Sequence, residues 1–191
     1  MTKPYDKNKI GKFVGWGGEH FVYEYGDKEV IKFSVHVWLS GKSAVEKKKK
    51  DYEIGKKYFD KYLIPIKILT WDNGKKAVEI QEKIKCRFLK SQDLKNEKVK
   101  EQFDDIAERH HRMVTDVGVP FDLFGREGLL KIGQPKKISN ILITPTKELV
   151  LIDFTLLELK PKIREWPLWL IIQWAKGRQR KLFAEFSKSE A

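Results

Sequence analysis

A single cysteine, Cys86, stands in the 191 residues, so no internal disulfide can form and a lone thiol fits a reducing compartment. Long apolar runs are absent as well. The longest, Pro167 to Ala175, is broken by Gln173 and falls short of the ~18 residues a membrane-crossing helix needs. The opening MTKPYDKNKI is too charged for the apolar core of a signal peptide, and the expectation is a soluble, cytoplasmic protein. Internal repeats and low-complexity tracts are also missing. What is abundant is positive charge: 39 Lys and Arg face 27 Asp and Glu, a net charge of +12. That excess predicts attraction to phosphates, whether of nucleotide, nucleic acid or anionic lipid.

Hydrophobic residues at 41% suffice for a core, and at this length a folded chain hides roughly 70% of its unfolded surface without metal or disulfide. From Ile10 to Gly15, Phe21 to Tyr25 and Glu29 to Val35, short β-branched and aromatic runs are separated by glycine-bearing turns, which predicts an antiparallel meander. Ser43 to Tyr62 is dense in Lys and Glu, with Val45, Tyr52, Ile54, Tyr58 and Phe59 near helical spacing. It predicts one amphipathic helix, with Lys47 to Lys50 read as a solvated face ahead of a nucleic-acid patch. Asp72-Asn73-Gly74 between Ile64–Leu69 and Ala77–Gln81 predicts a hairpin. After Glu82 the character changes. Phe103, Ile106, Ala107, His110, Met113 and Val114 mark a helix over Lys98–Val117 that stops at Gly118. Ile138–Thr144 and Glu148–Phe154 predict strands around Pro145-Thr146-Lys147, and a basic, aromatic helix is expected from Ile163 onward. Residues 1–80 and 81–191 are thus two parts of one domain, hinged near Gln81–Ile84.

Four features carry chemistry by their order. Gly15-Trp16-Gly17-Gly18-Glu19-His20-Phe21-Val22 lies between two predicted strands, where glycines let the backbone close over phosphates. A plain hairpin turn is the competing reading. Lys32 follows in Val30-Ile31-Lys32, as either a surface side chain or a phosphate ligand. A glutamate on the next helix, Glu53 or alternatively Glu46, could hold its ammonium. Last, Asn140 in Ser139-Asn140-Ile141-Leu142-Ile143 and Asp153 in Leu151-Ile152-Asp153-Phe154 stand thirteen positions apart at the ends of two apolar strands. Amide and carboxylate oxygens of this kind suit Mg²⁺, whose other ligands come from substrate phosphates and water.

In this order the sequence resembles the protein kinase-like superfamily in compact form, over roughly residues 10 to 158. The resemblance implies an α+β, two-lobed fold with an antiparallel N-lobe sheet and a reduced helical C-lobe. It also implies an ATP site: Gly15, Gly17, Gly18 and Val22 over the nucleotide, Lys32 on its phosphates, Glu53 supporting Lys32, and backbone groups of Glu82 and Ile84 holding adenine. Asn140 and Asp153 would hold Mg²⁺, Asp153 with a catalytic part. The implied activity is transfer of the γ-phosphate to a protein or small-molecule hydroxyl.

The chain also departs from that pattern. His20 replaces the third loop glycine, Thr155 the glycine after Asp153-Phe154, and Pro135 the catalytic Asp five residues before Asn140. Upstream carboxylates are Glu127 and Asp122. Asp122 is the candidate base, or else a turn cap. Only 37 residues follow Phe154, so the expectation is a kinase-like fold with its peptide-binding subdomain missing or rebuilt from the basic tail.

Three other readings compete. A pseudokinase would bind nucleotide or a partner without transfer. Ser40-Gly41-Lys42-Ser43 suggests a P-loop NTPase, although His36 stands where its first glycine belongs. Trp166, Trp169 and Trp174 among Arg164, Lys176, Arg178, Arg180 and Lys181 could lie on anionic lipid or nucleic acid, or pack against the second lobe. The adjacent pair His110-His111 points to different helix faces, so no zinc is assigned.

Overall fold

The computed structural model describes residues 3–16, 20–124, 137–153, 155, 156, 178 and 181–186. It is α+β and divides into two compact units, one of residues 1–54 and 64–84, the other of residues 55–63 and 85–191.

The first unit is built on a five-stranded antiparallel sheet. Its strands are β1 (Ile10–Trp16), β2 (His20–Tyr25), β3 (Glu29–Ser34), β4 (Ile66–Trp71) and β5 (Lys76–Glu82), in spatial order β1-β2-β3-β5-β4. The first three form the expected meander, and β5 inserts between β3 and β4. Asp72 and Asn73 take left-handed backbone at φ 56° and 52°, which short polar residues tolerate in such a turn. Alternation gives the sheet two faces. One buries Tyr25, Ile31, Val78 and Ile80 beneath Tyr5, whose ring meets Phe33 and Trp71 edge-on at 5.9 and 5.7 Å. Ala77 and Ile68 lie in a second cluster with Val37, Ala44 and Val45.

Those last residues belong to two helices, the one predicted from Ser43 onward and a short one before it that the sequence did not predict. Helix α1 (Val35–Ser40) begins where the Ser34 hydroxyl accepts from the Val37 amide and ends at Gly41, φ 58°. Helix α2 (Lys42–Phe59) follows. Ser40-Gly41-Lys42-Ser43 therefore joins helix to helix, whereas a phosphate-binding P-loop joins a strand to a helix. Lys42 reaches Glu46 one turn on, at 3.7 Å in solvent.

In the second unit, β6 (Arg87–Lys90), β7 (Lys137–Ile143) and β8 (Leu149–Leu151) form an antiparallel sheet in that order. Helix α3 (Glu97–Val117) starts at Asn96, whose side chain accepts from the Val99 amide. It buries Val99, Phe103, Ile106, His110 and Met113, the stripe of one helix face. Phe103 meets Phe183 and Phe186 at 5.5 and 5.4 Å, and Phe124 meets Phe183 at 4.9 Å. Residues 181–186 are helical, with Leu182, Phe183 and Phe186 buried, so this part of the basic C-terminal segment contributes to the core. Trp166, Trp169 and Trp174 lie outside the described residues. The Gln102 amide of α3 donates to the Lys147 carbonyl and accepts from the Leu149 amide, tying the β7–β8 turn to the helix.

Gly118 ends α3 in the left-handed region, φ 79°, its N–H bonded to the Val114 carbonyl at 2.9 Å. A side chain there is strained by backbone conformation alone. Gly118→Ala is expected to lower stability by about 1 kcal/mol, read as a lower urea midpoint at unchanged slope.

Candidate functional site

In the first unit, Gly15 of β1 and Val22 of β2 are direct register partners, and Val22 in turn faces Lys32 of β3. Gly17 and Gly18 lie outside the described residues. Lys32 is 7% exposed, so it is no surface lysine, and a buried ammonium calls for a counter-charge. The carboxylate beside it comes from an unexpected element. Glu79 of β5 is Lys32's register partner and is itself 4% exposed. Its Oε1 lies 2.7 Å from Lys48 Nζ of α2 and 3.2 Å from His20 Nε2, and Lys48 and His20 are 2.6 Å apart. Burial would raise the Glu79 pKa, but His20, Lys48 and Lys32 outweigh it and hold the carboxyl at about 2. Glu53 is exposed on α2, as is Glu46. His20, which stands where a third loop glycine was expected, thus has its own place in a buried charged group. Of the residues expected to hold adenine, Glu82 is exposed at the end of β5 and Ile84 is partly buried.

In the second unit the key residues converge on one loop. The Asn140 side-chain amide, on β7, donates to the Asp122 main-chain carbonyl, although 18 residues separate them. Backbone bonds reinforce this: Asn140 N–H to the Leu123 carbonyl at 3.3 Å, and Asp122 N–H to the Thr155 carbonyl at 3.4 Å. Ile152 donates to the Asn140 carbonyl at 3.1 Å, which places Asp153 one residue beyond that bond, in left-handed backbone at φ 60°. Asp122, Asn140 and Asp153 are all partly buried. Glu127, Pro135 and Phe154 lie outside the described residues.

Sequence reasoning missed the support behind this loop. His110 of α3, 5% exposed, places Nε2 3.3 Å from the carbonyl of Phe121, the residue before Asp122. Burial lowers its pKa to about 4; the Phe121 contact opposes that shift and His111 adds to it. The imidazole is therefore neutral at pH 7 and donates through Nε2. His111 is exposed. Among the described residues, no group of three or more His, Cys, Asp or Glu gathers as a metal site, and no helix is long and apolar enough to cross a membrane.

Comparison with protein-family models finds no match, and comparison with curated proteins finds none. Among solved structures the chain is similar to the apo form of PpkA-294, with a TM-score of 0.44 and 12% identity over 81% of this chain. The similarity covers 61% of that chain, less than two thirds of its length.

Proposed function

We propose that this chain is a small atypical kinase-like protein that binds ATP with Mg²⁺ and transfers the γ-phosphate to a hydroxyl of a protein or small molecule. The observation that carries the reading is the bond from the Asn140 amide to the Asp122 carbonyl. It gives the chain a carboxylate-bearing loop held to a metal-ligand candidate even though Pro135 occupies the position of the usual base.

The donor set fits Mg²⁺. Because the Asp122 carbonyl can only accept, Nδ2 of Asn140 must face it, which turns the Oδ1 of that amide the other way, as an oxygen donor. Asp153 supplies the carboxylate. Bound there, Mg²⁺ would neutralise phosphate charge. Lys32 would hold phosphate oxygens, Gly15 and Val22 would border the nucleotide, and backbone groups at Glu82 and Ile84 would hold adenine. Asp122 would take the proton from the acceptor hydroxyl.

A nucleotide-binding pseudokinase is the second reading, favoured by Pro135 in place of an acid. One experiment separates the two: purified protein with labelled ATP and Mg²⁺, wild type beside Asp153→Ala and Asp122→Ala. Label transfer by wild type, lost in both variants, is the expected result. Thermal stabilisation by nucleotide without transfer establishes the pseudokinase. If nucleotide changes nothing, both readings fail.

A further inference from the structure

The first unit holds a buried charged group whose parts come from four elements: His20 of β2, Lys32 of β3, Glu79 of β5 and Lys48 of α2. In an antiparallel pair, directly opposed residues project from the same face with Cβ atoms ~5 Å apart. Lys32 and Glu79 are such a pair, and both are almost fully buried. His20 lies two residues from Val22 on the strand that faces Lys32, so alternation puts its side chain on that face too. Helix α2 contributes a cation, Lys48, to this group, while its own Glu46 and Glu53 are exposed.

We propose that Glu79, presented by β5, and not a glutamate of α2, is the positioning carboxylate of Lys32, and that Lys48 and His20 hold Glu79 in turn. The proposal deepens the reading of Lys32 as a phosphate ligand and rests on it for its functional consequence. Its physical logic is rigidity. Strand-to-strand register fixes Glu79 against Lys32 by main-chain hydrogen bonds, whereas a helix glutamate reaches a strand lysine only through the helix's own packing. Lys48, with three N–H donors, reaches the Glu79 carboxylate directly, and the Nε2–H of His20 donates to the same carboxylate. The helix therefore bears on Lys32 indirectly, through the carboxylate.

The test compares full-length wild type, Lys32→Met, Glu79→Gln, the double variant and Glu53→Gln for affinity toward a fluorescent ATP analogue with Mg²⁺. Glu79→Gln and Lys32→Met are each expected to weaken binding at least tenfold, and the double variant no more than the weaker single. That non-additivity is a signature a merely structural Glu79 does not give. Full additivity overturns the proposal, as does the same loss in Glu53→Gln with none in Glu79→Gln. A second measurement needs neither a folded Glu79→Gln nor any nucleotide. The carboxyl carbon of Glu79, followed by NMR in Lys32→Met, is expected to titrate at higher pH than in wild type, because one neighbouring cation has gone. An unmoved titration sinks the proposal. If wild type fails to bind nucleotide, the kinase-like reading falls, and this carboxyl titration alone decides whether Glu79 holds Lys32.

Discussion

Acidification from pH 7 is expected to destabilise this protein in two separable steps, set by the buried groups His110 and Glu79. His110 is the first. An unfolded histidine takes up its proton near 6.5, whereas in the fold burial delays protonation to about 4. Between those values the unfolded chain binds more protons than the native one, so stability falls as pH drops through that window. A difference of this size corresponds to about 3 kcal/mol. The imidazole meets the Phe121 carbonyl and the Phe183 ring at 5.4 Å, and the exposed His111 beside it adds to the lowering. Glu79 is the second. Its carboxyl titrates at about 2 in the fold against 4.5 when unfolded, so its contribution is complete above 4.5 and is lost as pH falls toward 2, again by about 3 kcal/mol. His20, Lys48 and Lys32 face it. Urea unfolding at pH 7.5, 5.5 and 4.0 reads the first window. His110→Gln keeps an N–H donor for the Phe121 carbonyl but cannot titrate, and it is expected to flatten the decline between pH 6.5 and 4. An undiminished slope in that variant would show that other groups govern the upper step.

The contrast between these two residues shows how far the sequence could be read. His110 was legible as a member of the buried face of α3, because helical periodicity over twenty residues is a strong signal and Gly118 marks its end. The Asp72-Asn73-Gly74 hairpin and the β7–β8 pair were legible for the same kind of reason, since turn chemistry is local. Asn140 and Asp153 stood out as polar residues at the ends of apolar strands. Glu79 was not legible, although Val78-Glu79-Ile80-Gln81 alternates. Its meaning depends on β5 pairing with β3, and nothing local says that β5 inserts between β3 and β4 instead of extending a meander. Helix α1 was hidden too, because Val35, Val37 and Trp38 favour strands, and only the Ser34 cap and Gly41 bound a helix there. Strand β6 has four residues and little alternation. It exists as the partner of β7, more than forty residues on, and only long-range pairing reveals it.

Asn140 is where local reading and long-range structure meet, and substitution there separates its two roles. Asn140→Ala removes both the donor to the Asp122 carbonyl and the amide oxygen. The backbone bonds of residue 140 to Leu123 and Ile152 remain, so the loss of stability should stay near 1 kcal/mol. Transfer of label from ATP is expected to fall ~100-fold or more, because a base or metal displaced by about an ångström costs that much in rate. Asn140→Asp splits the effect. A carboxylate keeps an oxygen for Mg²⁺ but cannot donate to a carbonyl, and two acceptors left facing each other repel. This variant is therefore expected to retain Mg²⁺-dependent nucleotide binding while losing transfer nearly as fully as Asn140→Ala, which loses both. If Asn140→Ala transfers phosphate within twofold of wild type, the Asn140–Asp122 bond has no part in the chemistry. If Asn140→Asp transfers normally, the oxygen matters and the donated hydrogen bond does not, and Asp122 then lacks the support that makes it the candidate base.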